Sequence, residues 1–273
     1  MPELPEVQTV LSTLEHMIAH KRIESIEILS PDVVQCDSDE FSRRLNKRSF
    51  VSFKRRGKYL LFEMEDVTLV SHLRMEGKYF IKEQNESLNK HDHVIFILDN
   101  KEELRYNDTR KFGKMHLVKK DELNKTPLIK LGLEPWDNSL TPSYLKDKLN
   151  KNKAIKTLLL DQSIITGIGN IYADEILFLS KINPELPGNK LNNNNLLDII
   201  TNTQKVLEKA ISEGGTTIHT YTSVDGITGR FQQQLLVHGK KDELCPNCQS
   251  KILKIVVNGR GTYYCPKCQK KKK

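Results

Sequence analysis

The chain has 273 residues, enough for two domains of ordinary size with separate cores. Its 43 lysines and arginines exceed its 35 aspartates and glutamates, and the net charge of +8 favours a polyanionic partner such as nucleic acid. No apolar run approaches the roughly 20 residues that cross a bilayer, and no signal-peptide pattern opens the chain, so we expect a cytoplasmic protein that does not bind membranes.

The first predicted element is an amphipathic helix over residues 5–20. Val7, Leu11 and Leu14 recur at helical spacing, and Pro5 suits a first helical turn. The stretch MPELPEV that leads into it is unusual, because removal of Met1 would leave a secondary amine at the N-terminus. The acidic residues of this stretch can also serve a plain structural purpose, since carboxylates stabilise helix N-termini.

Residues 23–118 predict an antiparallel β-sandwich or flattened barrel. Short runs rich in β-branched and aromatic residues, such as SFVSFKRRGKYLLFEM and HVIFILDN, alternate here with turn residues. Lys58 follows Gly57 between two of these strands, where it can be either a surface lysine or a buried reactive one. Met75 falls in a predicted turn, and Arg110 and Phe112 lie two residues apart in another. Exposed apolar side chains at such tips are typical of proteins that wedge between DNA base steps.

A proline-containing turn cluster over residues 131–142 predicts a domain boundary, and helices follow it. The asparagine run 192–195 is interpreted as a polar loop. Residues 214–230 are rich in glycine and have no period, which is typical of a long lid loop. The predicted helices span residues 142–150, 153–161, 170–180 and 196–213.

The stretch ITGIGNIYADEIL predicts a turn that aims a helix N-terminus at one point. Gly167 and Gly169 form the turn, and Asn170 is the expected N-cap of the helix. Free backbone amides at such a terminus bind anions, although helix hairpins often need glycine for purely structural reasons. Lys153 and Lys156 lie just upstream and favour a phosphate contact.

The C-terminal cysteines predict a structural zinc site. Two Cys-x-x-Cys pairs separated by sixteen residues match a four-thiolate zinc ribbon, and a redox pair fits this spacing poorly. The segment between them predicts a hairpin with Asn-Gly at its tip. Arg260, which follows that tip, can grip a phosphate or be a solvated turn arginine. The four expected zinc ligands are Cys245, Cys248, Cys265 and Cys268, which leaves Cys36 without an assigned role.

Together these motifs resemble the formamidopyrimidine-DNA glycosylases. The resemblance extends along nearly the whole chain and is carried, in order, by PELPEV, RRGKYL, HLRMEGKY, KHDHV, DTRKFG, GIGNIYADEIL, GGTT and NGRGTYYCPKC. It implies an α+β multidomain fold. The implied domains are a catalytic β-sandwich with a flanking helix at 1–133, a helix-two-turns-helix domain with a lid at 134–234, and a zinc ribbon at 235–273.

The resemblance also implies a reaction mechanism. Pro2, after loss of Met1, is the nucleophile that attacks C1′ of the damaged nucleotide. An α-amine with a reference pKa near 8 is roughly a tenth free base at pH 7, against about 0.04% for a lysine, so a terminal amine suits this task. Glu3 is the implied acid that protonates the sugar ring oxygen. Lys58 is the implied proton donor for β-elimination and Arg260 for δ-elimination.

The same resemblance implies how duplex DNA is bound. The damaged nucleotide must leave the stack, and the wedge residues Met75, Arg110 and Phe112 fill the gap. His91, Arg110, Lys153 and Asn170 are the implied backbone contacts. The implied protein is a monomer with one structural zinc, acts on oxidised purines in double-stranded DNA, and belongs to the bacterial cytoplasm at the nucleoid.

Two departures from the family pattern and two alternatives complete the predictions. His219 stands where many relatives carry arginine, and His238 where tyrosine is usual, which affects lid details and one possible DNA contact. The nearest alternative is an endonuclease VIII-type enzyme for oxidised pyrimidines, which Leu4 and the long lid disfavour. The other is a non-catalytic zinc-ribbon DNA-binding protein, which would not need Pro2, Glu3 or Lys58.

Overall fold

The computed structural model describes residues 1–216 and 230–271. The described residues form two compact units. We call Met1–Ile129 the sandwich unit, and residues 130–216 with 230–271 the helical unit. Most of the predicted lid, including His219, lies outside the described residues. Among the helices described, none has the length and apolar character that a membrane crossing requires.

Residues 1–129 contain two antiparallel sheets of four strands, which confirms the predicted sandwich. The strands are β1 Ile23–Ile28, β2 Ser52–Arg56, β3 Tyr59–Glu63, β4 Val67–His72, β5 Lys78–Glu83, β6 Asp92–Leu98, β7 Glu102–Asn107 and β8 Lys114–Lys119. One sheet has the order β1-β6-β7-β5 and the other β2-β3-β4-β8. Every residue of β4 is buried, so both faces of its sheet are covered at that strand.

Helix α1, Leu4–Ile18, packs on the second sheet. Its apolar side chains at helical spacing enter the same core as the aromatic residues of β2 and β3. A second helix, α2 at Ser38–Leu45, was not predicted. Its signal is the N-cap Asp37, whose carboxylate accepts the amides of Asp39 and Glu40.

The helical unit contains the four predicted helices, of which the first three are slightly shorter than predicted and the last begins three residues earlier. They are α3 Pro142–Leu149, α4 Ile155–Leu159, α5 Asn170–Leu179 and α6 Asn193–Ser212. The loop interpretation of the asparagine run is wrong. Asn192 is the N-cap of α6, and its side chain and that of Asn195 cap each other's backbone amides, so the run forms the first turn of the helix.

The end of the helical unit is the predicted zinc ribbon hairpin. Strand β9, Leu253–Val257, pairs antiparallel with β10, Arg260–Tyr264. Asn258 and Gly259 join them with φ of 47° and 74°. Two consecutive left-handed residues are the geometry of a two-residue hairpin turn that matches strand twist, which explains Asn-Gly at this point.

Candidate active site

The N-terminus of α1 is fixed by two buried carboxylates. Glu3 is the N-cap residue, and Glu3 and Glu6 form a reciprocal capping box in which the Glu3 amide donates to Glu6 Oε2 at 2.8 Å. Both side chains are only 4% exposed. Pro2 is half-buried beside them, while Met1 is 50% exposed and open to removal. This arrangement holds the peptide group between Pro2 and Glu3 in place, which gives Glu6 a structural role.

Lys58 lies at the turn between β2 and β3, on which α1 packs. Gly57 precedes it with φ of 58°, the left-handed conformation that this turn requires. Arg55 ties the turn to α1, because its Nε donates to Gln8 Oε1 at 3.1 Å and its Nη1 to the Gly57 carbonyl at 3.0 Å. Lys58 is 5% exposed, so it is a buried lysine and not a surface one.

His72 is a neutral group next to Lys58. Burial, and after it the nearby charges of Arg74 and Lys58, lower the pKa of His72 to about 3. Its ring meets the Tyr59 ring edge-on with centroids 4.4 Å apart, and its Nδ1 accepts the Arg74 amide at 2.9 Å. The sequence alone does not indicate that His72 is a buried, neutral neighbour of Lys58, because this placement depends on the pairing of β3 with β4.

The predicted wedge residues lie on two short turns of the sandwich unit. The first turn, residues 73–77, exposes 40% of Met75. The second turn, residues 108–113, exposes 49% of Phe112, and the guanidinium carbon of Arg110 lies 4.5 Å from the centroid of that ring. Apolar surface held out in this way is suited to stacking against bases.

One end of the sandwich gathers the predicted residues of this unit. The two wedge turns are joined by a hydrogen bond from Thr109 Oγ1 to the Glu76 carboxylate. His91 is attached to the second turn, since its carbonyl accepts the Asp108 amide at 3.0 Å. Register pairs Tyr59 with His72, which brings Lys58 to the strand end where the first turn begins.

The four cysteines of the helical unit fit one zinc ion. Their sulfur atoms all lie within 4.8 Å of one another, with Cys248 to Cys265 at 3.4 Å and Cys245 to Cys268 at 3.9 Å. Tetrahedral Zn–S bonds of about 2.3 Å place sulfurs about 3.8 Å apart. The chain therefore carries a structural four-thiolate zinc site, as predicted. Four thiolates leave no ligand position for a catalytic water.

Asn170 holds the hairpin and does not cap its helix. The N-cap is Gly169, and Asn170 is the first residue of α5. Its side-chain Nδ2 donates to the Gly261 carbonyl at 3.0 Å, which turns the side chain toward the hairpin. Arg260, next to that carbonyl, is exposed, and so is Lys153. The predicted cap is wrong because its partner comes from a segment 91 residues away.

Lys156 also binds the hairpin, so it is not available to a phosphate. It is fully buried, and its Nζ lies 2.9 Å from Thr262 Oγ1, 3.0 Å from the Gly261 carbonyl and 2.7 Å from Asp174 Oδ1. His238 Nδ1 lies 2.7 Å from the other Asp174 oxygen. We call Lys156, Asp174 and His238 the hairpin anchor.

Glu175 and Gln269 extend these attachments. The Glu175 carboxylate accepts the amides of Leu236, Val237 and His238 at 2.8–3.0 Å, although burial raises its pKa. Gln269 bonds the Cys265 amide and, at 2.8 Å, the Ile182 carbonyl. Sequence reasoning missed Asp174 and Glu175, and the signal was two acidic residues in an otherwise apolar helix.

Family models match three successive parts of the chain. Residues 1–115 match the formamidopyrimidine-DNA glycosylase N-terminal domain, and residues 131–222 match the formamidopyrimidine-DNA glycosylase H2TH domain. Residues 250–271 match a zinc finger found in FPG and IleRS.

Relatives and solved structures agree with these matches. The formamidopyrimidine-DNA glycosylase of Bacillus subtilis is 47% identical over 94% of this chain and 95% of its own length. That of Ligilactobacillus salivarius is 44% identical over 94% of each chain. Among structures, a complex of Lactococcus lactis Fpg with abasic-site DNA is 40% identical, with a TM-score of 0.92 over 98% of this chain and all of that one. A variant complex with Fapy-dG DNA gives 0.93, at 99% and 100% coverage and the same identity.

Proposed function

The chain belongs to the formamidopyrimidine-DNA glycosylase family, and from that membership we propose that Pro2 carries out base excision and strand cleavage at oxidised purines in duplex DNA. The enzyme is a bifunctional glycosylase and lyase. The observation that carries the proposal is the fixed position of Pro2, one peptide away from a buried capping box at the end of α1.

The reaction begins at the nitrogen of Pro2. Once Met1 is removed, this nitrogen is a secondary amine that is partly free base near pH 7. It attacks C1′ and loses its own proton, the bond from C1′ to the damaged base breaks, and the base leaves with a proton. The bond from C1′ to the ring oxygen then breaks as that oxygen takes up a proton, which opens the sugar. The resulting iminium cation withdraws electrons from the sugar, so loss of a C2′ proton expels the 3′ phosphate. A second elimination expels the 5′ phosphate.

Glu3 and Lys58 supply protons in this scheme. Glu3 protonates the sugar ring oxygen as the base departs, and its burial in the capping box supports this role because it holds the carboxyl in a fixed position. Lys58 serves the elimination steps. Its burial at the turn between β2 and β3 supports the role, because it holds the amine in one position.

Cations and wedges bind the duplex in the same proposal. Arg260 clamps a phosphate and donates a proton in the second elimination, and Lys153 and His91 contact the backbone. Asn170 acts on the backbone in part through the Gly261 carbonyl that it holds. Met75, Arg110 and Phe112 occupy the space of the extruded nucleotide. The enzyme acts as a monomer at the bacterial nucleoid.

Borohydride trapping tests the nucleophile. Borohydride reduces the iminium to a stable amine, and peptide mapping of the adduct on 8-oxoguanine duplex is expected to find the DNA on Pro2. Lys58→Gln, which removes the rival amine, should still be trapped, whereas enzyme that retains Met1 should not. An adduct on Lys58 would overturn the assignment. Faster release of thymine glycol than of 8-oxoguanine would favour the pyrimidine-specific alternative.

A further inference from the structure

We propose that Asp108 and Tyr106 are positioning residues that preset both wedge turns before DNA arrives. The proposal rests on the proposed function, since it concerns how the wedge residues come to be ready for a duplex. Neither side chain reaches the surface, because both are fully buried. They act through the turns that they hold.

The backbone of the second wedge turn, residues 108–113, is hydrogen-bonded to the side-chain carboxylate of Asp108. Asp108 Oδ1 accepts the Arg110 amide at 3.0 Å, and Oδ2 accepts the Gly113 amide at 2.9 Å. The Tyr106 hydroxyl donates to the same Oδ2 at 3.3 Å. With both ends of residues 108–113 bound to one buried group, the side chains of Arg110 and Phe112 point outward together.

The Tyr106 hydroxyl also lies close to the backbone of both wedge turns, at one glycine in each. A Cβ added to Gly113 would lie 1.6 Å from this oxygen, and one added to Gly77 would lie 2.4 Å from it. Only glycine fits at these two positions, so the backbones of both wedge turns approach the same phenol. The first turn closes through the Gly77 amide, which donates to the Leu73 carbonyl at 2.9 Å.

The backbone of Asp108 attaches the arrangement to the sheet. His93 Nε2 lies 2.7 Å from the Asp108 carbonyl, and because a carbonyl only accepts, this nitrogen carries the hydrogen. His93 Nδ1 then accepts the Ser30 hydroxyl at 3.0 Å. The carboxylate therefore holds the turn while the main chain of the same residue is held by the sandwich.

Backbone strain shows why such support is needed. Arg74 and Lys111, which stand next to the wedge residues, have φ of 54° and 55°, in the left-handed region that side chains disfavour. Residues persist there only when the surrounding structure imposes it. The free-energy cost of this strained backbone is offset when the protein folds. A duplex therefore does not have to organise the turns when it binds.

Tyr106→Phe tests the proposal, with Tyr79→Phe as the matched control. Both tyrosines are fully buried in the same core with rings 5.2 Å apart, but the Tyr79 hydroxyl donates to Ser71 and bonds neither wedge turn through that contact. The measurements are single-turnover excision from an 8-oxoguanine duplex and strand cleavage at an abasic site in single-stranded DNA. The single strand has no opposite base, so it needs no wedge.

Tyr106→Phe is expected to slow duplex excision about tenfold relative to single-strand cleavage, because the substitution removes one buried hydrogen bond. Tyr79→Phe should leave that ratio unchanged. The same ratio in both variants, whether reduced or not, would overturn the proposal. Thr109→Val, an exposed change that cuts the link between the turns, replaces Tyr106→Phe if the latter fails to fold. Wild-type enzyme inactive on both substrates would instead contradict the proposed function.

Discussion

Each unit of the molecule orders an exposed element through one buried aspartate, but the two aspartates are satisfied differently. Asp108, in the sandwich unit, accepts hydrogen bonds from two backbone amides and a phenol. Asp174, in the helical unit, faces the Lys156 ammonium and the His238 ring. Neutral donors leave no buried charge behind when a carboxylate is changed, whereas a buried ammonium does.

The surroundings of the two aspartates differ in the same way. The sandwich unit places Asp108 against a core of aliphatic and aromatic side chains from both sheets. The zinc ribbon has a small core in which its four cysteines lie among six apolar or aromatic side chains, two of them from α5. We infer that the zinc ion and the buried charges stabilise the ribbon, whereas burial of apolar side chains stabilises the sandwich. This is usual for segments too small to form a core of their own.

Removing the zinc should have the largest effect, and it should affect the ribbon but not the sandwich unit. Cys265→Ala is expected to release the zinc and unfold β9 and β10, because a structural zinc contributes on the order of 10 kcal/mol to folding of such modules. The sandwich unit should stay folded, since its core contains no ligand. Metal analysis and hydrogen exchange on both units measure this. Cys36→Ala is the control, and loss of zinc from that variant would contradict the four-thiolate assignment.

Asp174→Asn should have the next largest effect. It leaves the buried Lys156 ammonium with neutral acceptors such as Gly261 and Thr262, and breaking a buried ion pair costs about 3–5 kcal/mol. Urea unfolding measures the change, with Asp147→Asn as control because the Asp147 side chain is 77% exposed. An effect no greater than that of the control would show that the hairpin anchor adds little stability.

Asp108→Asn should cost less, about 2 kcal/mol of unfolding free energy. An amide oxygen can still accept one of the three bonds, and the groups left unsatisfied are neutral. Urea unfolding again gives the comparison, with the 60% exposed Asp66→Asn as control. A loss equal to that of Asp174→Asn would remove the distinction between neutral and charged support.

His72 should give the smallest effect, and it depends on pH. Its pKa is about 3 in the folded protein and 6.5 when unfolded, so the stability it provides is complete above pH 6.5 and is lost as the pH falls toward 3. Between pH 7.5 and 6 the loss is about 0.8 kcal/mol. His72→Gln should flatten the stability profile by that amount, whereas the exposed His16→Gln should not. An unchanged slope in His72→Gln would mean that the ring is solvated.

The elements of this fold were predictable where the signal was local. Apolar periodicity gave α1 and α6 within a few residues, and the Asn-Gly pair gave the hairpin tip. Cysteine spacing gave the metal site for the same reason, since each Cys-x-x-Cys pair is a single turn. The asparagine run was misjudged because polar residues at a helix start and in a loop differ only by what their side chains cap.

The support around the site could not be predicted, because it depends on long-range partners. Lys156 resembled a phosphate ligand in sequence, yet its partner carbonyl is 105 residues away. Asp108 sits within a recognisable motif, but nothing local indicates that Tyr106 binds it or that Gly77 passes the same phenol. Whether Pro2, Glu3, Lys58 and Arg260 perform the chemistry stays a prediction that trapping will decide.

The capping box at the start of α1 leaves Pro2, the proposed nucleophile, almost no freedom. The ring of Pro2 fixes its φ, the peptide bond to Glu3 is planar, and the Glu3 amide is held by Glu6. A single torsion, ψ of Pro2, therefore sets the direction of the lone pair on the Pro2 nitrogen. Inserting even one residue between Pro2 and Glu3 would move the amine by about 3.8 Å, more than the tolerance for bond formation.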